Sequence, residues 1–158
     1  MRKQTVYRAA FVTYSAMMLW LLFGRERFES PVGYWQQVRQ NLNPVPFDTI
    51  SRYARVLISD CSADLKRHAV INLVGNVIMF VPLGFLTSAL WKNFRPLWRC
   101  LLWGSAIIIC VELVQLFALV GSCDVDDLML NVVGIGWGYG LCCWKKSSKS
   151  TNTQSVSL

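Results

Sequence analysis

The sequence predicts an all-α fold: a multi-pass membrane bundle of four transmembrane helices, with a short amphipathic helix in the first extracytoplasmic loop. Two observations carry this. Charged residues make up only 16% of the chain and apolar residues 54%, against about 25% charged residues in an average soluble domain. The apolar residues also gather into four runs with basic clusters between them, each run close to the roughly 17–25 residues that a helix needs to cross the hydrocarbon core. A chain of 158 residues has room for one domain, here 1–144. A Ser/Thr-rich cytoplasmic tail, 145–158, lacks a hydrophobic period and is expected to be disordered.

The first run, Val6 to Phe23, follows Arg2 and Lys3 and contains Arg8. No small-x-small cleavage site follows it; Gly24-Arg25-Glu26-Arg27 does, so it reads as an uncleaved first span rather than a signal peptide. The loop beyond it holds a turn-rich strap, Asn41-Leu42-Asn43-Pro44-Val45-Pro46-Phe47, and then Asp48, a residue suited to capping a helix start. Ile50, Tyr53, Ala54, Leu57 and Ile58 recur at helical spacing after it. This is the amphipathic helix, lying either on the membrane surface or on top of the bundle. The second run is His68 to Trp91, with Pro82-Leu83-Gly84 able to kink it. The third is Trp98 to Val120 and the fourth Asp127 to Trp144. The fourth carries Gly134, Gly136, Gly138 and Gly140, two overlapping GxxxG spacings that allow close helix packing. That packing lies within the bundle or between copies, and Gly134 and Gly138 are the candidate contact of a homo-oligomer.

Lysine and arginine set the orientation. Arg2, Lys3 and Arg8 precede or begin the first span, Lys92, Arg95 and Arg99 mark the second loop, and Lys145, Lys146 and Lys149 follow the fourth span. The third loop, Gly121 to Asp126, has no basic residue. The positive-inside rule then places both termini in the cytoplasm. The first loop carries seven basic residues between Arg25 and Arg67, but it is long and partly offset by acids, and long loops weigh less. The net charge of +7 is explained by these anchors. It forms no single basic face and accompanies no nucleic-acid motif, so no nucleic-acid partner is expected. Six cysteines without a CxxC pair, and His68 alone, build no convincing metal site. No cofactor is expected.

Function is sought where polar residues interrupt apolar runs. Glu112 stands in the middle of the third run, where an acidic residue costs about 2.5–3.5 kcal/mol on insertion scales. Gln115, three residues on, shares its helix face. At 1.5 Å per residue the pair lies roughly 14–18 Å short of Asp124. Asn72 and Asn76 sit one turn apart near the outer end of the second span, and Asn131 lies four residues after Asp127 in the fourth. Three helices thus bring amides and carboxylates to one depth in the outer half of the membrane. The bland reading is interhelical hydrogen bonding, at about 0.6 kcal/mol per bond on average; an amide would do this at lower cost than Glu112. Asp124, Asp126 and Asp127 suit capping of the fourth helix, a cation or a cationic ligand. The candidate polar pocket is therefore Asn72, Asn76, Glu112, Gln115 and Asn131, with Asp124, Asp126 and Asp127 at its mouth.

These blocks resemble a known family. Asn72, Asn76, Phe80, Pro82, Leu83, Gly84 and Phe85 stand as N-x-x-x-N-x-x-x-F-x-P-L-G-F. Glu112 and Gln115 stand as E-x-x-Q, and Asp124, Asp126, Asp127, Asn131 and Gly134 as D-x-D-D-x-x-x-N-x-x-G. In these and in the Asn41–Phe47 strap, residues of about 40–140 resemble the VanZ-like family. The resemblance implies a bacterial multi-pass protein of the cell envelope, in a family whose founding member is linked to resistance to teicoplanin, a lipoglycopeptide. The family pattern carries an arginine shortly before the acidic run, where this chain has Gly121-Ser122-Cys123. Arg52 or Arg55, or a cation, would then neutralise the carboxylates.

Two functions follow as expectations. One is a binding protein whose pocket holds a lipid-linked envelope intermediate or the lipoglycopeptide itself, with membrane lipids around it. The other is a metal-dependent enzyme acting on a lipid head group, with Glu112 as general acid or base. No activated serine, cysteine or histidine supports the enzyme, and no catalytic residue is assigned.

Overall fold

The computed structural model describes residues 2–24 and 32–154. Among these the chain is all-α apart from one short strand pair. The helices are α1 (Arg2–Phe23), α2 (Tyr34–Gln40), α3 (Asp48–Ile58), α4 (Ala63–Leu90), α5 (Leu97–Ala118) and α6 (Val125–Gln154), with a 3₁₀ turn at Lys92–Phe94. The strands β1 (Leu42–Asn43) and β2 (Cys123–Asp124) pair in parallel, Leu42 opposite Cys123 and Asn43 opposite Asp124. Three helices are long and apolar enough to cross a membrane: Lys3–Phe23 of α1, all of α4 and all of α5.

Local chemistry explains most ends. Ser62 caps α4, its hydroxyl accepting the Leu65 amide at 3.4 Å. Pro82 lies inside α4, which continues through it to Leu90. The α5 helix closes with Leu119 in the left-handed region (φ 57°) and the Val120 amide returned to the Gln115 carbonyl at 3.1 Å. The α6 helix continues past Trp144, where the expected tail begins, because no glycine or proline interrupts it after Gly140. Residues 155–158, like Arg25–Pro31, lie outside the described residues.

The centre of the bundle is the pair α4–α6, which run side by side in the same direction. Gly134 lies against the Val77 carbonyl and Gly138 against the Val81 carbonyl, so a side chain at either glycine would collide with the α4 backbone. Gly84 faces the Ile135 carbonyl in return. The close packing expected of Gly134 and Gly138 is thus made within the chain, against α4. The physical reason is that α4 brings the complementary backbone within reach. Around this seam the core gathers Tyr14 and Met18 of α1, Phe80, Leu83 and Leu86 of α4, Cys100 and Ile108 of α5, and Ile135 of α6. The Tyr14 hydroxyl donates to the Met79 carbonyl at 2.9 Å, joining α1 to α4.

The bundle has two chemically distinct ends. At one, Phe11 packs edge-on against Trp91, the Tyr139 hydroxyl donates to the Arg95 carbonyl at 2.6 Å, and the Lys145 ammonium lies over the Tyr7 and Phe85 rings. At the other, the strap, α3, the β1–β2 pair and the acidic turn assemble. Both α4 and α6 therefore reach from one end to the other.

Candidate functional site

The acidic turn is built as a latch. Asp124 Oδ2 accepts from the Asn43 amide at 3.1 Å and the Thr49 hydroxyl at 2.6 Å, while its Oδ1 takes the Asp126 amide at 2.8 Å. Asp126 is fully buried, and its two oxygens accept the backbone amides of Phe47 (2.5 Å) and Ile50 (2.9 Å). These are the amides at the start of α3, left orphaned by helix geometry. Phe47 itself is left-handed (φ 63°) and offers no side-chain cap. Asp126 is thus the N-cap of a helix 76 residues away. Asp48, expected to be that cap, lies instead in the first turn and pairs with Arg52.

The arrangement bears on two expectations about charge. Asp124 and Asp126 are held by amides and a hydroxyl within the chain, and Asp124 also lines the outer recess. Arg52 is paired with Asp48, and the Arg55 guanidinium bonds the Ser51 carbonyl at 3.3 Å. Hydrogen-bond donors of the strap and of the first turn of α3, rather than an arginine, meet these two carboxylates. Among the described residues no three of histidine, cysteine, aspartate and glutamate gather as ligands for a metal.

Behind the latch lie two adjoining recesses. The outer vestibule, about 420 Å³, is walled by the strap, α3 and the acidic turn. The inner chamber, about 100 Å³, is walled by Asn72 and Asn76 of α4, Glu112 and Gln115 of α5, and Asp127 and Asn131 of α6, with apolar residues behind them. Asn72, Ser122 and Asp127 belong to both. These six residues, expected to converge, thus line one cavity.

Their bonding is uneven. The Asn76 amide bonds the Asp127 carboxylate. The Asn72 amide turns back on its own helix, to the His68 carbonyl at 3.0 Å and the His68 Nε2 at 3.2 Å. The Gln115 amide donates to the Leu22 carbonyl of α1 at 2.8 Å. Glu112 Oε2 and Asn131 Oδ1 are both buried and have no hydrogen-bond partner. The Asp124 amide faces the Glu112 carboxyl group.

The field at the vestibule is negative. Burial, with Asp127 and Asp124 adding to it and Arg52 opposing, pushes the Tyr53 phenol above its ordinary value. Burial, Glu112 and Asp124 together push the Cys123 thiol up.

A family profile described as VanZ/LLP1 matches residues 11–146. The chain belongs to the VanZ/LLP1 family. It is a membrane protein of the VanZ type, with apolar helices long enough to cross a bilayer. No curated protein and no solved structure shows a significant match. The polar blocks that carried the VanZ resemblance are the residues of the chamber and the latch.

Sequence reading missed Asn43, Thr49, Ser122 and Tyr34, whose hydroxyl donates to the Phe117 carbonyl at 2.9 Å. Asn43 and Thr49 flank the strap's prolines, and an amide and a hydroxyl so placed were the available signal.

Proposed function

We propose that this VanZ-family protein is a four-span protein of the bacterial cytoplasmic membrane, with both termini inside, that binds the head of an amphiphile at the outer leaflet. The amphiphile is a lipid-linked envelope intermediate or a lipoglycopeptide such as teicoplanin, and its capture contributes to resistance by keeping drug and target apart. The observation that carries this is the chamber: a polar cavity between membrane helices, with buried oxygens unpartnered, opening through a vestibule at one end.

Several features support the topology. Lys92, Arg95 and Arg99 belong to the end where Tyr7 meets Lys145, and the acidic turn to the opposite end, as the positive-inside rule requires of a cytoplasmic and an outer face. The α6 helix matches the reach of α4 and is the fourth span. The α3 helix then lies outside, resting on α4 through the half-buried Tyr53, whose ring meets His68 at 6.0 Å. Binding is favoured over catalysis because Asp124 and Asp126 are engaged in the latch.

The test is protection of a teicoplanin-sensitive host. Wild-type chain should raise the inhibitory concentration, and Glu112→Gln should lose most of that gain at equal membrane abundance. Equal protection by both removes Glu112 from the mechanism; no protection by either removes resistance as the task.

A further inference from the structure

The inner chamber has a donor–acceptor imbalance that specifies the chemistry of what enters it. The side chains of Asn72, Asn76 and Gln115 are the amide donors of α4 and α5 on its wall, and each is already engaged: with His68, with Asp127 and with the Leu22 carbonyl. Among the described residues no lysine, arginine or histidine lines the cavity. Two oxygens of residues on its wall are buried and unpartnered: Glu112 Oε2 on α5 and Asn131 Oδ1 on α6. Asn131 is only 3% exposed. An unmet buried acceptor is costly, more so when charged, and these two share one cavity. An anion would meet two carboxyl groups there, Glu112 and Asp127. A group that donates several hydrogen bonds and carries positive charge meets both.

A second feature fixes what is attached to that group. An apolar groove of about 230 Å³ runs between α1 and α5 over α4, from Phe11 to Leu22 along α1. Leu22, Phe80 and Val111 line both this groove and the chamber. At 1.5 Å per residue the groove follows α1 for about 16 Å, close to one leaflet of a hydrocarbon core about 30 Å thick. A hydrocarbon chain in the groove places its head at the chamber.

We propose that the chamber is a primary-ammonium site and that its occupant is an amphiphile with a protonated amine in its head group. This rests on the amphiphile-binding reading and narrows it. Glu112 and Asn131 receive the ammonium hydrogens, and a chain of the same molecule lies in the α1–α5 groove.

The test is native mass spectrometry of the full chain released from micelles containing dioleoylphosphatidylethanolamine, its N-acetylated counterpart, or methylammonium chloride alone. Wild type should retain the amine lipid at least tenfold over the acetylated one. Glu112→Gln and Asn131→Leu should each reduce that preference at least fivefold, with Asp64→Asn, an exposed change outside both recesses, leaving it intact. Size-exclusion profiles matching wild type establish that the variants are folded. Equal retention of the two lipids overturns the ammonium site while leaving amphiphile binding in place; retention of neither, with no stabilisation by methylammonium, overturns both. Thermal stabilisation by methylammonium without retention of either lipid keeps the ammonium chemistry and assigns it to a free amine, overturning the amphiphile.

Discussion

The latch makes a quantitative prediction. Asp126→Asn keeps the shape of the side chain but leaves one oxygen to serve two amides, those of Phe47 and Ile50. The substituted amide nitrogen then faces a backbone N–H, donor against donor. A hydrogen bond to a charged group contributes about 1.5–3 kcal/mol, and an unmet buried donor costs about 1–3 kcal/mol. Relief of the buried carboxylate's own desolvation offsets part of this, leaving about 3 kcal/mol. The loss should be local, because α3 has no buried residue of its own and such elements open before the core does. Hydrogen exchange read by mass spectrometry on purified protein should therefore show amides of 47–58 exchanging about 100-fold faster, about tenfold per 1.4 kcal/mol. Amides of α4 and α6 should keep wild-type protection, and trypsin should cut sooner at Arg52 and Arg55. Unchanged exchange across α3 would refute the remote cap; equal loss across α4 and α6 would refute its local character.

Three further outcomes follow from the packing and the charges. Gly138→Leu should lower the unfolding temperature in detergent by an amount equivalent to about 1–3 kcal/mol or more, as overpacking does, since a side chain there meets the Val81 carbonyl. Gly140→Ala, with nothing within 4 Å of the added carbon, should be neutral or stabilising by up to about 1 kcal/mol; equal damage from both would remove the α4–α6 seam. In a chain with the other five cysteines replaced, Cys123 should need a more alkaline solution for alkylation than an unburied thiol, because a raised pKa leaves less thiolate at any given pH. Adding Glu112→Gln removes a negative charge and should shift the rate profile toward lower pH; an unmoved profile would mean that Glu112 carries no charge toward Cys123.

What the sequence made legible was depth. Helical rise is fixed, so Asn76, Glu112, Asp127 and Asn131 could be brought to one level by counting from the loops. The amphipathic helix after Asp48 was legible for the same reason: its period is local. Partner identity was not. Asp126 caps a helix from which it is separated by α4 and α5, and no spacing along the chain encodes that. The β1–β2 pair is two residues long and shows no alternation to read. Gly134 and Gly138 announced close packing, but only the fold tells that the partner is α4 of the same chain. The bonding of Gln115 to the Leu22 carbonyl was hidden likewise, since a backbone acceptor leaves no trace in residue type. The imbalance of the chamber emerges only when those engaged donors are subtracted.

The account turns on an acceptor-lined recess reached from the outer face. Asn131→Cys in a chain otherwise free of cysteine, treated in intact cells with matched cationic aminoethyl and anionic sulfonatoethyl thiosulfonates, measures it. The account predicts modification from outside, at least tenfold faster by the cation, while Val114→Cys on the exposed face of α5 shows no such preference. No reaction at 131 in a folded bundle, or faster reaction with the anion, would contradict it.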